Sequence, residues 1–509
     1  MKVIGRTAPA LYTDERQVAL AARTGYPRPM KSFSQVAICA ALVVGFGIWS
    51  GSALGDEPAI GHKKTAWESK SFKRVRKQAM KFGDDYRKFI GTNKTEREVV
   101  RTAIAMAKRK GFKNLFGKKR PAVKAGSKLY AVVHNKLVAF VIVGKKPLSD
   151  GVHIVAAHID AVRIDLKQNP LYADANMAML ETHYYGGIKS YQWLSLPLEL
   201  RGIVVKKNGK TIDVSIGDKE NEPVLVIPDI AMHMSRRVDR REGEELPGES
   251  LDPILSTTPA EGVTGDPFAA HAAALLKSEY GIDLDDLASA ELELVPATNP
   301  RDVGIDRALV GGYGQDDRAC AYAALRAILS AAAPQHTAIV VLADKEEIGS
   351  NGNTGAKSNF IRRVVAELLE GSDKAATELA VDRVFSQSLV FSADVTGAVN
   401  PHYKELYEKK NATFIGSGVS WDQTAVHAEV MAYVRRLFDD AGVTHQASEW
   451  GKSRGSKGEG GTLLPFFTQH GMNGLNVSIP LLSMHSPFEL ISKADLYEAY
   501  RAYRVFLED

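Results

Sequence analysis

The chain has 509 residues, of which 45% are hydrophobic and 25% charged. That balance describes a globular protein long enough for two domains, or for one domain with an insertion, and it excludes a disordered or low-complexity chain. Lysine and arginine number 65 against 60 aspartates and glutamates, and the formal charge of +5 is too small a surplus to argue for a nucleic-acid partner.

The first feature in chain order is apolar. From Met30 the sequence runs MKSFSQVAICAALVVGFGIWSGSALGDEP: a lysine, an apolar stretch from Val36 to Trp49, then small residues before Asp56. That stretch is about 14 residues, short of the roughly 20 that span a membrane, and Ala53-Leu54-Gly55 offers the small side chains a signal peptidase accepts. Export to the periplasm or medium is the expectation. An uncleaved anchor or a buried helix is the alternative, leaving the protein membrane-anchored or cytoplasmic. Residues 1–29 make a long leader, so Met30 is the alternative start. Of the two cysteines, Cys39 lies in this leader without a lipobox, and Cys320 would stand alone in the mature chain, so no internal disulfide is expected.

The basic stretches HKKTAWESKSFKRVRKQ and KRKGFKNLFGKKR read as solvated surface. Between them, TNKTEREVVRTAIAMAKRKGF predicts a helix with a Thr95/Glu98 capping box and a stop at Gly111. KLYAVVHNKLVAFVIVG predicts two strands joined across His134-Asn135-Lys136, and GVHIVAAHID a third, buried strand. From about Leu166 to Pro300 the texture changes. LPLELRGIVVKKNGKTIDVSIG reads as a hairpin around Asn208-Gly209 and EPVLVIP as a short strand, with polar loops between, which together suggest a strand-rich insertion. Thereafter helix and strand alternate: DDRACAYAALRAIL (helix), TAIVVLAD (strand), SNFIRRVVAELLEG (helix), SLVFSADV (strand), AVHAEVMAYVRRLFDDAG (helix), GLNVSIP (strand) and a terminal helix from about Lys493. The fold class expected is α/β: a mixed, largely parallel sheet flanked by helices, with an inserted strand-rich second domain.

The buried runs end on polar residues. IVAAHID delivers His158 and Asp160, VVLADKEE delivers Glu346 and Glu347, LVFSAD delivers Asp394, and LLSMHSP delivers His485 after the GLNVSIP strand. Ligands of open α/β sheets gather outside the carboxyl ends of strands, so these groups would converge on one crevice. At GGYGQDDRAC, three glycines permit a tight turn into a helix beginning at Asp316 or Asp317, either of which could equally be a plain helix cap. Crowded carboxylates need a compensating charge, and imidazole with carboxylate suits zinc, cobalt or manganese, in pairs better than singly. The adjacent acids Glu346 and Glu347 would diverge along a strand end, one toward metal and one toward water.

The motifs HID, NPLY, YYGGIKSYQW, GGYGQDDRACAYAAL, DKEEIGSNG, FSADV and LLSMHSPFELISKADL, in that order, closely resemble the aminopeptidase I and aspartyl aminopeptidase family of zinc metallopeptidases. The match runs from about Thr95 to the C-terminus and leaves the leader outside. The resemblance implies a zinc-exopeptidase-like fold and a metalloaminopeptidase with two Zn2+ per subunit, removing N-terminal residues from peptide substrates. His158 and Asp394 would hold one zinc, Glu347 and His485 the other, and Asp316 would bridge. Glu346 would be the general base acting on a metal-bound water, and Asp160 would orient the His158 imidazole. The implied organisation is a leader over 1–55, a catalytic domain over 56–165 and 301–509, and a dimerisation or lid domain over 166–300, in a homo-oligomer of the family's dodecameric kind.

Two departures stand out. His158-Ile159-Asp160-Ala161-Val162 replaces the family's His-x-Asp-Ser-Pro. The stretch TGAVNPHY lacks a His that many members carry before Asn-Pro, placing His402 after it instead. Acidic specificity would need a cation such as Arg163, Lys189 or Lys404, and YQWLSLPL lacks the Arg of aspartyl-selective relatives, so neutral or broad specificity is expected. Alternatives are a carboxypeptidase or N-acyl amino-acid deacylase on the same metals, or an inactive exported peptide-binding or shell protein.

Overall fold

The computed structural model describes residues 64–118, 121–235, 246–247, 250–408, 410–422, 427–449 and 462–509. The leader expected from the sequence, with Met30 and Cys39, lies outside the described residues.

Among the described residues thirteen strands make one mixed sheet. Its centre is four parallel strands side by side: Thr337–Ala343, Val152–His158, Leu389–Ser392 and Asn473–Leu482. On one side Leu137–Ile142 and Lys128–Val133 continue it antiparallel, and on the other Glu489–Ser492, Leu309–Gly312 and Arg301–Val303 do the same. The central strands are mostly apolar, as strands covered on both faces are. Val155, Ala157, Val340, Leu342 and Phe391 pack against the helices Lys70–Thr92, Gln315–Ser330 and Lys493–Glu508. Their neighbours Ile154, Ala156, Ile339, Val341 and Val390 point the other way, toward Phe360–Gly371 and Glu378–Ser386. The α/β class and the helix–strand alternation read from the sequence are what the chain forms.

Local signals held at several points. Thr95 accepts from the Glu98 N–H while the Glu98 carboxylate accepts from the Thr95 N–H, capping Glu96–Arg109. His134 and Asn135 both take left-handed backbone to close the first hairpin. Of the first basic stretch, Lys70, Lys73, Arg74, Arg76 and Lys77 are exposed, but they line a 23-residue helix, Lys70–Thr92, whose other face buries Phe72, Ala79, Phe82, Tyr86, Phe89 and Ile90.

Among the described residues a second, six-stranded sheet is wholly antiparallel, in the order Thr211–Ile216, Leu198–Val205, Ala290–Pro296, Arg163–Asp174, Met177–Tyr185, Ile254–Ser256. It leaves the main sheet directly after His158. The Asn208-Gly209 hairpin forms as read, with Gly209 at φ +82. EPVLVIP does not become a full strand: Leu225 and Val226 make only single bridges to Leu198 and Ile254. Pro223 and Pro228 bracket the run and deny it ladder N–H groups.

Candidate metal centre

All four central parallel strands end at one place. His158 is the last residue of its strand, Glu346 and Glu347 follow Thr337–Ala343, Asp394 follows Leu389–Ser392, and His485 follows Asn473–Leu482. Asp316 joins them from the start of the helix Gln315–Ser330, where Gly314, at φ +70, is the cap. The result is two groups of three that share one residue: His158, Asp316 and Asp394, then Asp316, Glu347 and His485, with ligand atoms within 4.8 Å of one another in each group.

Asp316 faces the two groups with different oxygens. His158 Nε2 lies 3.2 Å from its Oδ1 and His485 Nε2 lies 3.3 Å from its Oδ2. His158 Nε2 is 3.7 Å from Asp394 Oδ1, and His485 Nε2 is 3.5 Å from Glu347 Oε2. Asp317 is turned away, its Oδ2 accepting the His158 backbone N–H at 3.3 Å, which resolves the Asp316-or-Asp317 ambiguity geometrically.

The rings are set by their other nitrogens. His158 Nδ1–H donates to the Asp160 carbonyl at 3.1 Å and lies 3.3 Å from Asp160 Oδ1, while His485 Nδ1–H donates to the Gly187 carbonyl at 2.8 Å. With Nδ1–H so committed, each ring turns Nε2 toward carboxylate oxygens, and Nε2 is the nitrogen that would ligate a cation there. Ligand atoms about 2.0–2.2 Å from a tetrahedral zinc stand about 3.3–3.6 Å apart, and the observed 3.2–3.7 Å separations fit that size.

Electrostatics agree. Burial first, and then neighbouring acids, push Glu347 and Asp394 above the usual carboxylate range despite the opposing imidazoles. Burial together with Asp394, Asp160 and Asp316, opposed by His158, brings Glu346 up to about 8. Burial would raise Asp316 too, but its hydrogen bonds with His158 and His485 hold it well down. The donor set carries more negative charge than its histidines balance, and a divalent cation fits that environment.

Glu346 and Glu347 sit on a 3-10 turn, Glu346–Ile348, entered through Lys345 at φ +67, so their side chains diverge through this turn and not through a strand's pleat. Both backbone N–H groups donate to one carboxylate: Glu346 to Asp160 Oδ1 and Glu347 to Asp160 Oδ2, each at 3.2 Å. Burial alone would raise Asp160, but hydrogen bonds from His158 and Tyr185 and the charges of His158 and Arg163 keep it low.

Two residues at the site escaped the sequence reading. Glu489, fully buried, accepts the N–H groups of Gln315 (2.7 Å) and Asp316 (3.1 Å) on one oxygen and of His485 (2.8 Å) on the other. Tyr185 donates its hydroxyl to Asp160 Oδ2 at 2.9 Å. They lie inside the motifs SPFEL and YYGG, but nothing local marks these two residues as part of a site.

Of the candidate specificity cations, Arg163 is buried and committed to protein acids, with Nε 2.7 Å from Asp165 and 3.4 Å from Glu293. Lys189 and Lys404 are exposed, and His402 lies exposed on the turn Pro401–Leu406, its N–H donating to Asn400 Oδ1.

Residues 89–507 match the family model described as aminopeptidase I zinc metalloprotease (M18). A probable M18 family aminopeptidase 1 of Thermotoga maritima is 40% identical over 457 residues, 88% of this chain and 99% of its own. One from Borrelia garinii is 38% identical over 461 residues, 88% of this chain and 100% of its own. The crystal structure of the M18 aminopeptidase from Thermotoga maritima superposes with a TM-score of 0.83 at 39% identity, covering 88% of this chain and 99% of that one. The S. cerevisiae mApe1 dodecamer, 23% identical with a TM-score of 0.67 over 83% of this chain and 95% of that one, shares the fold. The chain belongs to the M18 aminopeptidase I family of zinc metalloproteases and is a metalloaminopeptidase.

Proposed function

We propose that the chain is a two-zinc aminopeptidase of neutral or broad specificity. The observation that carries this is the pair of ligand triads sharing Asp316, each presenting one imidazole Nε2 and carboxylate oxygens at zinc-compatible separations. His158 and Asp394 would hold one zinc, Glu347 and His485 the other, and Asp316 would bridge them with its two oxygens. When bound, zinc would act as a Lewis acid on the scissile carbonyl and make water a stronger acid.

The chain's own residues do the rest. Glu346, half-buried and with no side-chain hydrogen bond among the described residues, is free to take a proton from the attacking water onto its carboxylate and return it to the leaving amine. Asp160 fixes the His158 ring and, through two backbone amides, the turn that carries base and ligand. Commitment of Arg163 to Asp165 and Glu293 removes one cation from the acidic-pocket candidates and supports the neutral or broad preference.

A homo-oligomer is proposed with this activity, on the family pattern and the dodecamer described for mApe1, with the second sheet as its dimerisation or lid element. Export is proposed on the leader sequence alone, and cell fractionation tests it. The carboxypeptidase and deacylase alternatives gain no support from the family match.

The test is hydrolysis of amino-acid p-nitroanilides by the purified protein, with and without a chelator, and with an N-blocked substrate beside the free one. Activity lost on chelation, restored by zinc and confined to the free N-terminus is the expected result. Equal cleavage of the blocked substrate would rule out an aminopeptidase.

A further inference from the structure

The second sheet reaches into the metal centre through one strand end. Antiparallel pairing sets Tyr185 opposite Arg163, three residues beyond Asp160. The guanidinium of Arg163 lies over the Tyr185 ring, 3.8 Å from its centroid, and is itself held by Asp165 and Glu293. Stacked there, the phenol is buried and its hydroxyl meets Asp160 Oδ2 at 2.9 Å. The next two residues continue the contact. Gly186, at φ +74, leaves no room for a Cβ, which would come within 3.1 Å of Glu347 Oε2 and 2.7 Å of Val162. The Gly187 carbonyl takes the His485 Nδ1–H.

Asp160 is the junction. One oxygen faces the His158 ring and the Glu346 amide, the other the Glu347 amide and Tyr185. Without the hydroxyl, Oδ2 keeps a single backbone donor, and rotation of the carboxylate would loosen a ligand ring and the base turn together. Resting on the reading of this site as a metal centre, we infer that Tyr185 is a positioning residue: its hydroxyl, aimed by Arg163, locks the Asp160 carboxylate and so the ligands and base that Asp160 holds.

Tyr185→Phe isolates the hydroxyl, because the phenyl ring keeps both its packing and its stack under Arg163. The full-length protein is titrated with zinc in competition with a chromophoric chelator, melted without zinc, and assayed at saturating zinc. Tyr184→Phe, a neighbouring exposed tyrosine, is the control. The inference expects a zinc Kd raised about 10- to 100-fold, the usual scale for groups supporting a metal ligand. It also expects kcat lowered with KM within about twofold, and an unchanged melt. Zinc affinity and kcat within twofold of the parent overturn it, as does a loss of zinc affinity that merely tracks a lowered melting temperature. Zinc affinity is read without substrate. A parent protein that binds zinc but cleaves no peptide would therefore refute the proposed function and leave this test standing.

Discussion

Replacing Asp160 with asparagine should disable the centre while leaving the fold in place. The carboxylate is fully buried and faces four donors: the His158 ring, the Tyr185 hydroxyl and the amides of Glu346 and Glu347. Asparagine offers one acceptor oxygen, and its NH2 must point at one pair of donors. The less costly choice turns the NH2 toward Tyr185, whose hydroxyl can rotate to accept, and strands the Glu347 N–H. A buried donor left unmade costs about 1–2 kcal/mol, and exchanging a charged for a neutral acceptor at His158 adds about 1 kcal/mol. Because the affected groups present the proposed metal ligands, most of this sum should appear in zinc binding, as a Kd raised about 30- to 150-fold. Competition titration against a chromophoric chelator measures it, and circular dichroism melts report the fold. An Asp160→Asn protein that binds zinc within twofold of the parent would show that Asp160 does not organise the site.

The paired acids should separate by readout. Glu346→Gln is expected to lower kcat by about 10²- to 10⁴-fold, the range for a lost general base, with zinc content measured by mass spectrometry unchanged. Glu347→Gln should instead release zinc, and the reverse pattern would exchange the two assignments. Chelation should abolish peptidase activity and lower the melting temperature, both restored by zinc, since a ligand present at 100 times its Kd stabilises by about 2.7 kcal/mol. His153 gives an acid-stability test away from the site. Burial, against its hydrogen bond to the Phe506 carbonyl, lowers it from the usual 6.5 to about 4. Between those values the unfolded chain takes up a proton that the folded chain refuses, so stability is intact above pH 6.5 and falls by about 3 kcal/mol as pH drops to 4. His153→Gln, which keeps a donor for Phe506, should flatten that slope in denaturant titrations, and an unaltered slope would remove His153 as its source.

What the sequence disclosed follows from range. His158, Glu346, Glu347, Asp394 and His485 each end an apolar run, so a strand pattern marks them one by one, and parallel pairing then brings the ends together. By residue pattern alone Asp316 was one of two adjacent acids, because the choice depends on how the chain turns after Gly314, and only the family resemblance singled it out. Glu489 was silent: its partners Gln315 and Asp316 lie about 170 positions earlier, and no local period connects them. The helix Lys70–Thr92 was hidden differently. Its lysines and arginines dominate the composition, although Phe72, Ala79, Phe82, Tyr86 and Phe89 already kept helical spacing. The hairpin of Arg163–Asp174 with Met177–Tyr185 also went unread, since Asn169, Pro170 and the register shift between Leu166 and Leu171 break its alternation.

Why an apolar strand should end on two adjacent acids can now be put in terms of the backbone. The amides of Glu346 and Glu347 are pinned by Asp160, and those of Asp316 and His485 by Glu489, so two buried carboxylates outside both ligand triads fix four amides in three of the segments that form the candidate centre. Main-chain positions are thus set by the fold, and the side chains are left to answer to the cation. Adjacent residues are then an advantage: one short turn, held at two consecutive N–H groups, places the proposed ligand and the proposed base in fixed relation, with Glu347 toward His485 and Glu346 left open. A site built this way should survive the loss of its metal as a scaffold and reload without refolding. It should be far more sensitive to the buried acids that hold amides than to exposed charges nearby such as Lys189.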